Sequence, residues 1–248
     1  MNDGSALETY VTDLLRAAGL DPQKRELVGA RGSKVFDVVV DMTALGFSGT
    51  WVIECKDWVT KVKKTNVSGF CEEVQNVGAD KGVMVSTMGY QSGCAATVEN
   101  RNVVLVTPAE FEDSLGNQIA WEQLRQARPR LDGLGYRLER MHVRGTRIGG
   151  KPAFRRGMDE HFPSGPDSDL YAERCNALRV LLGEVTGVLA GNTYYQLPDL
   201  NYREDPDNYP PDDWDPTVKV DNVREFASAV TGYLTDWEAW ADELIPPP

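Results

Sequence analysis

Histidine and cysteine are scarce in this chain: two and four residues respectively among 248. His142 and His161 are isolated, and Cys55, Cys71, Cys94 and Cys175 show no C-x-x-C spacing, which excludes the common structural zinc patterns. Three of the cysteines, Cys55, Cys71 and Cys94, lie in apolar surroundings, where a free thiol acts as a small hydrophobe. No apolar run approaches the roughly 20 residues needed to cross a bilayer. A basic-then-apolar leader is also missing at the N-terminus, so the expectation is a soluble, cytoplasmic protein with no membrane contact. No G-x-x-x-x-G-K-[ST] motif is present, so any nucleotide-driven step would belong to another chain.

Positive charge is also in short supply overall. The net charge is −12, which argues against wholesale neutralisation of a phosphate backbone. The average conceals segregation, however. Residues 1–118 carry eleven Lys and Arg against sixteen Asp and Glu, residues 119–157 ten against three, and residues 158–248 five against nineteen. The middle segment is therefore basic, at +7, and the tail acidic, at −14. This basic stretch, containing Arg137, Arg140 and Arg144, could track phosphates or pair with the acidic tail of the same chain. The tail would suit a protein partner or homo-oligomer contact rather than DNA.

Against this background, hydrophobic periodicity divides the chain. Leu7, Tyr10, Val11, Leu14, Leu15 and Ala18 predict a first helix, opened by the capping box Ser5-Ala-Leu-Glu8 and closed at Gly19. A polar connection with Gly29 and Gly32 follows. Strands are expected at Lys34–Asp41 and Thr50–Lys56, paired as a hairpin around a loop containing Gly46 and Gly49. The pattern continues with a helix over about 66–76, a strand over 82–86, a helix over 92–100, a strand over 103–106 and a short helix opened by Pro108. Residues 1–118 thus read as αββαβαβα, an α/β domain with a mixed sheet flanked by helices. Residues 119–248 read as a further, mainly α region. Turns or short strands are expected around 136–143, a helix over 171–189, an irregular acidic stretch between Leu197 and Thr217, and a last helix over about 222–244.

Chemistry concentrates on the predicted hairpin. Along a strand, side chains alternate faces, so Glu54 and Lys56 point the same way and Cys55 the other. Asp37, on the preceding strand, sits in the run Val35-Phe-Asp-Val-Val-Val40. Charges in strands this apolar require a reason. Two carboxylates from neighbouring strands form a hard oxygen site suited to Mg²⁺ or Mn²⁺, and a lysine beside them can stabilise developing negative charge. That chemistry is phosphodiester hydrolysis. Taken alone, the same residues fit a surface ion pair and a turn-capping aspartate equally well.

Asp37, sixteen intervening residues, and then Glu54-Cys-Lys56 resemble the Asp…(Asp/Glu)-x-Lys signature of the PD-(D/E)XK nuclease superfamily, and the surroundings resemble its Mrr-type restriction endonuclease branch. The matching features are Leu7-Glu-Thr-Tyr-Val11 with Leu14-Leu15 and Gly19, the aromatic Trp58 after the lysine, a helix ending Gly78-Ala79, Lys81-Gly-Val-Met-Val-Ser-Thr87, Tyr90 and Ala95. They span about residues 5–113. One departure is Val35-Phe36 before the first-strand acid, where family members often have Gly followed by Ile or Val.

The resemblance implies a restriction-endonuclease-like fold and a Mg²⁺- or Mn²⁺-dependent endonuclease acting on DNA, in prokaryotic restriction or phage defence. By the same likeness Asp37, Glu54 and the Cys55 backbone carbonyl would hold the metal, Lys56 would support the attacking water, and Glu8 would approach the metal through water. Glu8 as a capping partner of Ser5 is an equal reading. Lys61, Lys63 and Lys64, following the second strand, could contact phosphate or form a solvated turn. Gln75 reads as a solvated helix residue, and Ser86 and Thr87 as structural hydroxyls at a strand end. Two alternatives stay open: a non-catalytic adaptor that keeps the fold to bind DNA or protein in a complex, and an RNA nuclease.

Overall fold

The computed structural model describes residues 5–44, 47–145, 165–198 and 217–244. Two compact units divide the chain, Met1–Ile119 and Ala120–Pro248. In the first unit the order is α1 (Ser5–Ala17), β1 (Gln23–Gly29), β2 (Gly32–Ala44), β3 (Phe47–Lys56), α2 (Lys64–Val77), β4 (Lys81–Ser86), α3 (Cys94–Val98) and β5 (Val103–Val106), with α4 (Pro108–Gly145) beginning there. The five strands form one sheet in the order β1-β2-β3-β4-β5. β1, β2 and β3 pair antiparallel, while β3-β4 and β4-β5 are parallel.

Both faces of this sheet are covered, which is why its central strands are nearly continuous in Val and Ile. Leu7, Val11 and Leu15 of α1 and Phe111 of α4 pack with Val38, Val40, Ile53, Val83 and Val85. Val67, Phe70, Cys71 and Val74 of α2 and Cys94 of α3 pack on the opposite face with Phe36, Val39, Val52 and Met84. Gly78 ends α2 with φ +69°, so its N–H reaches back to the carbonyls of Val74 and Gln75. Tyr90 ties β4 to β5, its hydroxyl donating to the carbonyls of Met84 and Val106 at 2.5 and 3.0 Å.

The order is αβββαβαβα rather than αββαβαβα. The polar connection expected before β2 is strand β1, an edge strand whose side chains are at best half-buried. An edge strand pairs along one side only and stays half solvated, so it lacks the apolar run of an inner strand. β2 and β3 also run further than expected, and Gly49 belongs to β3 rather than to a loop. The expected loop's other glycine, Gly46, lies outside the described residues.

In the second unit the corrections are larger. The short helix at Pro108 continues for 38 residues, and the turns or strands expected around 136–143 are part of it. Ala120, Leu124, Ala127, Leu131, Leu134 and Leu138 are buried at alternating four- and three-residue spacing, a heptad seam that outweighs Pro129 and the glycines. That seam packs with Leu178, Leu181, Val185 and Val188 of α5 (Gly165–Leu189) and with Phe226, Val230, Leu234 and Trp237 of α6 (Val223–Leu244). Asn222 caps α6, its side-chain oxygen accepting from the N–H groups of Arg224 and Glu225. A two-stranded antiparallel sheet, β6 (Tyr195–Pro198) with β7 (Thr217–Val220), flanks the acidic stretch; residues 199–216 and 146–164 lie outside the described residues. No helix of the described residues is long and apolar enough to cross a membrane.

Gly82 of β4 shows how tightly the α2 face is packed. A Cβ there would lie 2.6 Å from Val74 Cγ2, 3.0 Å from Phe70 Cε1 and 3.1 Å from Val103 Cγ2. Gly82→Ala is expected to destabilise the protein by about 1–3 kcal/mol through overpacking, read as a lower urea midpoint. An unchanged midpoint would contradict this packing.

Candidate active site

The site begins with a parting of two strands. β2 and β3 pair from Ala44↔Phe47 to Val38↔Ile53, and there the ladder stops. Beyond it β2 continues with β1 down to Gly32, while β3 continues with β4 through Glu54↔Met84, Cys55↔Val85 and Lys56↔Ser86. A fork opens between them. The Cys55 N–H, which would have met a β2 carbonyl, is taken by the Asp37 carboxylate at 2.8 Å. The pairing of β1 with β2 also slips here: Gln23 lies opposite Val39 and Arg25 opposite Phe36, which leaves one extra β2 residue at Asp37–Val38. Such a β-bulge re-aims a side chain. Its effect is visible in the core, where Phe36 and Val38 serve opposite faces instead of sharing one.

Glu54 and Lys56 share a face, as strand alternation requires. The Lys56 Nζ is 2.5 Å from Glu54 Oε1, with side chains 18% and 11% exposed, so this is a half-sheltered pair rather than a surface one. Lys56 also lies over the Trp58 ring, 5.2 Å from its centroid. The other oxygen, Glu54 Oε2, is buried and has no hydrogen-bond partner; the nearest cation is Lys34 Nζ at 3.9 Å. Lys34 is in turn 3.4 Å from Glu73 of α2.

Glu8 of α1 points its Oε2 at Lys24 of β1, 3.0 Å away. Both belong to the neighbourhood of Cys55. Burial raises the Cys55 thiol pKa most, and the carboxylates of Asp37, Glu8 and Glu54 raise it further, with Lys56 opposing them. The net field at Cys55 is therefore negative. The thiol itself is kept protonated and unreactive by the same field.

The remaining expected residues distribute as follows. Lys61, Lys63 and Lys64 are exposed between the end of β3 and the first turn of α2, and none of them pairs with a carboxylate among the described residues. Gln75 is exposed on α2. Ser86 is buried and donates to the Gly89 carbonyl at 3.1 Å, and Thr87 donates to Asp57 at 3.1 Å. Arg137 belongs to the second unit and pairs with Asp242 of α6 at 2.6 Å, beside a fork-on-fork pair of Arg130 with Glu238 at 2.5 and 3.1 Å. For these two arginines the partner is the acidic tail. Arg140 and Arg144 lie on the last turns of α4.

Sequence reasoning missed Lys24, Lys34 and Glu73. Lys24 fell in a segment read as connection. Lys34 could have been found, since two-residue alternation puts it on the same side as Phe36; Glu73 needed the packing of α2 on that face.

A divalent cation can be tested against this donor set. Asp37, Glu54 and the Cys55 carbonyl are all hard oxygen donors, and Glu54 Oε2 is a buried carboxylate oxygen without a hydrogen bond. No group of three or more His, Cys, Asp or Glu side chains is gathered as a metal cage among the described residues. Mg²⁺ does not need one, because it keeps several waters and takes one or two carboxylates. The residues fit such an ion.

Residues 1–115, within the first unit and a little under half of the chain, match the Mrr_cat family model, described as a restriction endonuclease. No curated protein matches the chain. Among solved structures, one titled a protein of unknown function, AF1548, aligns over 77% of this chain and 100% of its own at 12% identity and a TM-score of 0.39. The DNA modification-dependent restriction endonuclease AspBHI aligns over 44% of this chain at 13% identity and a TM-score of 0.27. The MspJI restriction endonuclease, solved in complex with a 27-mer oligonucleotide, aligns over 47% at 18% identity and a TM-score of 0.27. This chain spans 34% and 26% of those two enzymes, and TM-scores this low carry no weight beside the family match.

The Asp37 bond to Cys55 has a measurable consequence. Asp37→Ala leaves the Cys55 N–H without its acceptor and is expected to cost about 1–3 kcal/mol of stability, whereas Asp37→Asn keeps an oxygen acceptor and costs less. Urea denaturation of the two variants checks the order; equal midpoints would contradict it.

Proposed function

We propose that the first unit is a divalent-metal-dependent endonuclease that hydrolyses DNA phosphodiester bonds. The observation that carries this reading is the strand fork: Asp37 locked to the Cys55 N–H, with Glu54 presenting a buried oxygen that has no hydrogen bond, in a domain of the Mrr type. Asp37, Glu54 and the Cys55 carbonyl would hold Mg²⁺ or Mn²⁺, and Glu8 would contribute through water. When bound, the ion supplies Lewis-acid polarisation of a phosphoryl oxygen and acidification of water.

This chain's own residues supply the rest. Lys56 is held by its pair with Glu54 and by the Trp58 ring, so its ammonium is already positioned when substrate arrives. It donates to the attacking water or to the phosphoryl oxygens, where negative charge grows as the P–O bond breaks. Lys61, Lys63 and Lys64 form a local positive rim in an acidic chain and position the phosphate backbone beside the fork. DNA as substrate supports a cytoplasmic location, and family likeness supports a role in prokaryotic restriction or anti-phage defence. The second unit, with its acidic α6, is assigned to a protein partner or a second copy.

The test is direct. Full-length protein is incubated with plain and modified duplex DNA, single-stranded DNA and RNA, with Mn²⁺ or with chelator. Cleavage of DNA that chelator abolishes is expected. Glu54→Gln and Lys56→Met should each lower it by about 10²–10³-fold or more while the thermal midpoint stays within a few degrees. Mn²⁺-independent binding without cleavage would instead favour an adaptor that keeps the fold, and cleavage of RNA alone a ribonuclease.

A further inference from the structure

Lys34 and Glu73 are absorbed by neither the fold's packing nor the reading above, and their arrangement around Glu54 is unusual. Glu54 is a nearly buried carboxylate with an ammonium at each oxygen: Lys56 in hydrogen-bond contact with Oε1, and Lys34 at 3.9 Å from Oε2, outside hydrogen-bond reach. Lys34 is closer to a second acid, Glu73, at 3.4 Å. Its side chain is 32% exposed and that of Glu73 39%, so both can move, whereas Glu54 is 11% exposed on an inner strand and cannot. The Lys34 Nζ lies over the Phe36 ring, 6.0 Å from its centroid, and within 4 Å of both acids. A mobile cation is thus poised between a fixed acid with an open oxygen and a movable acid that can receive it.

We propose that Lys34 is a resident counter-cation of the metal seat: it neutralises Glu54 while the seat holds no ion and is handed to Glu73 when a divalent ion takes Glu54 Oε2. The inference rests on the metal reading of Asp37 and Glu54. Its physical basis is that a buried carboxylate needs a compensating charge at all times, and that an ammonium and a divalent ion cannot both sit against one oxygen without strong repulsion. Lys34 is a positioning residue on this account, since it acts through Glu54. Its consequence is a set metal affinity: the ion must displace a cation to enter, and Glu73 lowers the cost of that displacement.

The experiment is a Mn²⁺ titration of the full chain, following the electron paramagnetic resonance signal of free Mn²⁺, with circular dichroism melts to confirm folding. Asp37→Asn marks the seat by weakening binding. Lys34→Met should bind Mn²⁺ about tenfold more tightly than wild type, because one positive charge beside the ion is gone and Glu73 is left unpaired. Lys34→Arg should restore wild-type affinity. Glu73→Gln should weaken binding severalfold in wild type and much less in the Lys34→Met background, since its effect passes through Lys34. A purely structural ion pair would change the melts and leave affinity alone. Wild-type affinity in Lys34→Met, or an equal effect of Glu73→Gln in both backgrounds, overturns the handover while leaving the metal seat standing. If Lys34→Met fails to fold, Glu73→Gln and Lys34→Arg decide it: unchanged affinity in Glu73→Gln overturns the proposal. Absence of any wild-type Mn²⁺ binding that depends on Asp37 overturns the seat and the handover together.

Discussion

The bond from the Cys55 N–H to the Asp37 carboxylate is the contact on which the arrangement of the first unit turns. A ladder between two strands normally ends where both chains leave the sheet. Here it ends while both strands continue, β2 toward β1 and β3 toward β4, and a side chain closes the last rung. The exchange has two effects. It satisfies a backbone donor that would otherwise be lost in a fork between strands, and it holds an acid within reach of the end of β3. A β-bulge at Asp37–Val38 makes it possible by turning the chain at that residue.

Around that bond the charges are balanced pair by pair rather than in bulk. Glu8 is held by Lys24, Glu54 by Lys56 and Lys34, and Lys34 is shared with Glu73. This explains how a strand otherwise filled with Val and Ile tolerates a nearly buried carboxylate. It also explains why Cys55, set among three acids and buried, behaves as core and not as a nucleophile. The second unit uses the same economy differently. Arg130 and Arg137 of α4 are matched to Glu238 and Asp242 of α6, so part of the basic segment is spent on the acidic tail and is not a surplus awaiting phosphate.

Legibility followed the strength of the local signal. Elements with a buried stripe, such as α1, α2, β4 and α6, could be read from spacing alone because burial imposes a period on the residues. Glu54 and Lys56 were legible for the same reason, two-residue alternation being a property of any strand. β1 was not, because an edge strand is half solvated and reads like a loop. The long α4 was obscured by composition: arginines, glycines and Pro129 suggested irregular structure, although the buried seam from Ala120 to Leu138 was present in the spacing.

The amino-acid order by itself singled out Asp37, Glu54 and Lys56 as the candidate residues and put them on neighbouring strands, since motif and alternation are one-dimensional properties. Only the tertiary structure decided what each of them contacts. The point where β2 leaves β3, the bulge that turns Asp37, and the approach of Lys34 and Glu73 to the open oxygen of Glu54 all depend on pairing register and on a helix packed across the sheet. Register and helix docking are set by the summed burial of many side chains, so no single stretch of sequence contains them.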